Sequence, residues 1–151
     1  MTTLRSQAKA ITGKELVTVD FPDYYRIGTS HLEIPGGAGK KEQAIHEVLH
    51  WVIAEDWQRE HSGNLGFGHS MDDYSEKDPR CTAWFQERQE LMACHAQRIV
   101  YQLAGKPFPK KGSCTYKGRD KGLTEGEVDW VTTRCSEVGW NRLVDLARSR
   151  W

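Results

Sequence analysis

Ala44, Ile45, Val48, Leu49, Val52 and Ile53 recur at the three- and four-residue spacing that lines one side of an α-helix. Pro35-Gly-Gly-Ala-Gly39, just before them, lets the chain turn into that helix. The spacing predicts a helix from Lys40 to Ala54, running on through Glu55-Asp56-Trp57 toward Arg59. A second apolar stripe, Trp84, Phe85, Leu91, Met92, Ala96, Ile99, Val100 and Leu103, predicts a helix from Thr82 to about Leu103, stopped by Gly105 and Pro107. Thr124-Glu-Gly-Glu127 has the form of a capping box and predicts a helix through Val128, Trp130, Val131 and Cys135. Gly139 punctuates it, and Trp140 to Trp151 reads as a last short helix with Leu143, Val144 and Leu146 inward. A short helix is also expected around Leu4 to Ile11.

Upstream the period changes from helical to alternating. Leu16-Val-Thr-Val-Asp-Phe21 is β-branched and reads as a strand. Tyr24 to Ile27 and His31 to Ile34 read as two further strands joined by Gly28-Thr-Ser30, with Leu32 and Ile34 on one face. The expected fold class is α+β: a small, mostly antiparallel sheet packed on the helix at 40–54 and on the second helix, with C-terminal helices. One domain is expected over 1–151, with a core at about 16–104, a basic loop at about 105–122 and a helical extension at about 124–151. Residues 62–80, with Gly63, Gly66, Gly68 and Pro79, read as a long loop.

The first helix carries His46-Glu47-Val48-Leu49-His50 at the edge of its apolar stripe. Histidines four residues apart on a helix point the same way. Both imidazoles can then hold one Zn²⁺, with Glu47 beside them as general base for a zinc-activated water. The same pattern also fits a core helix with two hydrogen-bonded histidines. A zinc site of this kind needs a third protein ligand, and the residues leave four candidates: His61, His69, Glu87 and Glu90. His61 lies about 16 Å along the axis from His50 if the helix continues, so it serves only if the helix ends early. His69 sits in the flexible Gly-Phe-Gly-His-Ser stretch; Glu87 and Glu90 lie near the start of the second helix. His69, His95, Tyr74 and Tyr101 are candidate donors to an oxyanion, with His95 more simply read as a core residue or a support to a ligand.

The strand, the glycine-rich turn, the His-Glu-Val-Leu-His-Trp helix, the loop and the second helix, roughly residues 24–104, resemble the small zincin-like metallopeptidases of the minigluzincin type, found in phage and bacterial proteins of unknown substrate. The specific motif is His46-Glu47-x-x-His50; the remainder is layout. The resemblance implies a Glu on the second helix as third ligand, here Glu90, ahead of His69 and Glu87. It implies a zinc-dependent metallopeptidase cleaving a peptide or protein substrate with Glu47 as base. The alternatives are a non-catalytic zincin-fold regulator or interaction module, and a zinc hydrolase acting on a non-peptide amide. The strand at His31–Ile34 is a candidate edge for an extended peptide.

Composition narrows the partners. The chain of 151 residues has 21 basic and 21 acidic side chains and no net charge, so nothing global favours nucleic acid or an anionic membrane. The Lys106–Lys121 loop is locally basic and leaves a weak case for nucleic acid. Arg142, Arg148 and Arg150 are too few for a DNA-reading helix, so the C-terminal helices are expected to pack. No apolar run reaches the ~18 residues of a membrane span, and Met1 to Lys14 lacks the apolar core of a signal peptide, so a cytoplasmic location is expected. Cys81, Cys94, Cys114 and Cys135 form no Cys-x-x-Cys pair and are expected as free thiols, with two disulfides as the alternative if the protein is exported by another route.

Overall fold

The structure, a computed structural model, describes residues 3–19, 31–36, 39–61, 64–67, 77–108 and 122–151. Helix α1 (Leu4–Thr12) opens on a reciprocal cap between Thr3 and Ser6 and closes on Gly13. Strand β1 (Glu15–Val19) follows, then β2 (His31–Pro35). These two strands are parallel, with Leu16 opposite Leu32 and Thr18 opposite Ile34. The expectation of a mostly antiparallel sheet is therefore corrected among the described residues. Alternation along a strand says which side chains share a face, not which way the neighbouring strand runs. The strand expected at Tyr24–Ile27 lies outside the described residues. Leu32 and Ile34 are buried, as their shared face implied.

Helix α2 (Lys40–Ile53) carries the histidines and packs against β2, α1, α4 and α5. It does not run on toward Arg59. Ala54 is extended, and a separate helix α3 (Asp56–Glu60) starts with a Glu55–Gln58 reciprocal cap. The reason lies in the last carbonyls of α2, which a helix end leaves without intrahelical donors. Arg59 donates to the carbonyls of Trp51 (3.0 Å) and Val52 (2.8 Å). The Trp130 indole donates to that of Ile53 at 2.7 Å, and Arg134 to that of Ala54 at 2.6 Å. Every terminal carbonyl thus has a side-chain donor, two of them from the C-terminal region.

Helix α4 (Ala83–Ala104) begins at Thr82, whose side chain accepts from Phe85 N–H, and ends on a left-handed Gly105. Helix α5 (Glu125–Val138) begins with the expected Thr124–Glu127 capping box, and α6 (Trp140–Arg148) follows Gly139. Helix α6 packs on α4 and α1, and Leu4 N–H donates to the Arg150 carbonyl at 2.6 Å. The C-terminal helices are thus built into a shared core that includes Leu4, Leu32, Leu49, Val100, Leu143 and Leu146. Of the cysteines, Cys81 and Cys135 are buried free thiols, as expected, whereas Cys94 is disulfide-bonded. Sequence spacing does not report which sulfurs approach in space. No described helix is long and apolar enough to cross a membrane. Most of the basic loop falls outside the described residues.

Candidate metal centre

Packing of α4 across α2 brings three side chains to one point. His46 and His50 lie one turn apart on α2, their rings edge to face with centroids 4.6 Å apart. Glu90 reaches them from the second turn of α4. His46 Nε2 lies 2.9 Å from Glu90 Oε1, and His50 Nε2 lies 2.9 Å from Glu90 Oε2. The two Nε2 atoms are 3.1 Å apart. Among the described residues, this is the group of His, Cys, Asp and Glu side chains close enough to hold a metal ion.

The geometry can be tested against zinc. Zn–N and Zn–O bonds of about 2.0–2.1 Å place tetrahedral ligand atoms about 3.3 Å apart. The three observed separations fall short of that by only a few tenths of an ångström, and two imidazoles with one carboxylate are an ordinary donor set for a catalytic zinc site. With one Nε2 protonated and the other bare, a proton can bridge only part of this triangle. A single cation at its centre could take a lone pair from each of the three groups.

The electrostatics favour positive charge there. Burial opposes ionisation of Glu90, but His50 and His46 overcome it and hold the carboxyl well below the usual carboxylate range. Burial likewise opposes protonation of His50, but the charge and hydrogen bond of Glu90 outweigh it and raise its pKa. Burial is deepest at His46, whose side chain is 4% exposed, and shallowest at Glu90, at 22%.

Two further glutamines support the site. Gln43, one turn before Glu47, donates its Nε2–H to Glu47 Oε1 at 2.9 Å. Gln97 Oε1 lies 3.0 Å from His46 Nδ1, and Gln97 Nε2 donates to the Glu42 carbonyl at 3.2 Å. A side-chain hydrogen bond also links Gln97 to Tyr101, whose hydroxyl is pushed up to about 12 by burial. Gln97 is not among the candidates that the motif and its spacing single out. The signal was its place among Ala93, Ala96 and Val100: a polar side chain within an apolar stripe needs a partner.

Of the third-ligand candidates, the structure brings Glu90 into the group. Glu87 is exposed, outside it. His61 lies 3.6 Å from Asp78 and does not join, although the early end of α2 met the condition set for it. His69 and Tyr74 lie outside the described residues. His95 is half-buried on α4, outside the group, and Tyr101 is buried behind Gln97. Neither a protein-family model, nor a curated protein, nor a solved structure matches this chain.

Proposed function

We propose that His46, His50 and Glu90 hold a zinc ion and that the protein is a zinc-dependent peptidase of zincin-like type. The observation that carries the proposal is the triangle of two Nε2 atoms and one carboxylate, with separations of 2.9–3.1 Å. Zinc supplies Lewis acidity: it polarises a carbonyl and lowers the pKa of water toward neutrality.

The chain's own groups do the remaining work. Glu47 sits between the two histidines in sequence, is buried, and is steadied by Gln43. Its carboxylate takes the proton from the attacking water and passes it to the leaving amine. Glu90 and the two imidazoles would hold the ion with one net negative charge from the chain. Side chains from α4 and α2 exclude bulk water on the His46 side, which strengthens each electrostatic contact there.

The test starts with zinc per chain in protein purified without added metal, followed by turnover of a peptide library by wild type and Glu47→Gln. The expected result is one zinc per chain that depends on His46, His50 and Glu90, with turnover lost in Glu47→Gln while zinc is kept. Zinc without turnover in the wild type supports a non-catalytic protein of the same fold. A chain that neither carries nor takes up zinc overturns the metal reading.

A further inference from the structure

We infer that Gln97 is a positioning residue for this centre: its side-chain carbonyl holds the His46 ring in the one tautomer that turns an unprotonated Nε2 toward the metal. The inference rests on the metal reading above and concerns a residue outside the ligand set.

The Glu42 carbonyl can only accept, so the Gln97 amide must face it with its NH₂ end, and Nε2 is 3.2 Å away. The other end of the same planar group, Oε1, is then fixed on His46 Nδ1 at 3.0 Å. An amide oxygen cannot donate, so Nδ1 must bring the proton. A neutral imidazole carries one N–H. Its Nε2 is therefore bare, and it is this atom that lies 2.9 Å from Glu90 and 3.1 Å from His50 Nε2. Gln97 is 2% exposed, so water does not compete for either bond.

The second histidine has no such support. His50 Nδ1 is buried and has no hydrogen-bond partner among the described residues. The two ligands are thus unequal: His46 is held at both ring nitrogens, His50 at Nε2 alone. Loss of an outer partner of a ligating histidine typically weakens metal binding by about 10–100-fold.

Gln97 also ties α4 to the first turn of α2, and a purely structural role must be separated from an orienting one. Gln97→Leu removes both functions. Gln97→Glu keeps an acceptor for Nδ1–H and gives up the donor to Glu42. Zn²⁺ alone is the probe, titrated into metal-free protein in competition with a chromogenic chelator. The expected result is zinc binding weakened by about 10–100-fold in Gln97→Leu and largely restored in Gln97→Glu. In zinc-loaded wild type, ¹H–¹⁵N spectra of the histidine rings should show a protected proton on His46 Nδ1. Wild type that binds no zinc overturns the metal reading, and this inference with it. Wild-type affinity in Gln97→Leu, or equal losses in both variants, overturns the orienting role alone. Should Gln97→Leu fail to fold, the wild-type spectrum decides: absence of the Nδ1 proton overturns the inference.

Discussion

The Trp130 indole N–H, on α5, donates to the carbonyl of Ile53 at 2.7 Å, across 77 residues of sequence and three residues beyond His50. This bond joins the C-terminal extension to the end of the helix that bears both histidines. Trp130→Phe keeps most of the ring's buried surface and orphans the Ile53 carbonyl. The expected cost is about 1–3 kcal/mol of unfolding free energy, read from urea denaturation, with zinc stoichiometry unchanged.

Ligand linkage gives a second prediction. Zinc at about a hundred times its Kd stabilises the native state by about 2.7 kcal/mol. For a chain of this size that raises Tm by about 5–10 °C. The shift should vanish in His46→Ala and Glu90→Ala and be reversed by a chelator. A zinc-dependent rise in Tm that persists in Glu90→Ala would remove Glu90 from the ligand set.

A third prediction concerns acid. Arg88 on α4 grips Glu127 on α5, with Nε 2.7 Å from Oε2 and Nη2 on Oε1, and it also donates to the Gly122 carbonyl at 2.9 Å. The Arg88 hydrogen bonds hold the Glu127 carboxyl down at about 2. Its unfolded pKa is near 4.3. A carboxyl depressed on folding contributes its full stability above the unfolded value and loses it as pH falls from there toward 2. Glu127→Gln should lower stability at pH 7 and flatten the decline between about pH 4.5 and 2. Urea midpoints across that range provide the measurement; parallel wild-type and variant curves count against the pair.

Gly66 offers a contrast within one residue type. Its φ is 86°, and a Cβ there would lie 3.1 Å from the Trp57 ring and 3.2 Å from Cys81 Sγ. Gly66→Ala should cost about 1–3 kcal/mol, combining left-handed strain with crowding. Gly36 has a negative φ and open space around its Cβ position. Gly36→Ala should stay within about 0.5 kcal/mol of wild type. Thermal or urea unfolding of the two variants side by side tests the pair.

Much of the helical architecture was legible in the chain, because a 3.6-residue period, a Thr–Glu capping box and a Gly stop are local signals. Thr124, Glu127, Gly105 and Gly139 stand at the ends they predicted. The end of α2 at Ile53 is not legible in local periodicity, because the donors that end the helix are Arg59, Trp130 and Arg134, and two of these are remote in sequence. Strand direction is hidden for a similar reason: alternation at Leu16 and at Leu32 is the same for parallel and antiparallel neighbours.

The candidate site divides along the same line. His46 and His50 share a helix face because four residues make slightly more than one turn, and the sequence by itself determined that. It could also place Glu47 beside them. Only the tertiary structure decided that Glu90 closes the triangle while Glu87, three residues away, stays exposed. The distinction depends on the crossing of α4 over α2, which local periodicity does not encode. The role of Gln97 was hidden for the same reason: its partners, His46 and the Glu42 carbonyl, come within reach only when the two helices pack.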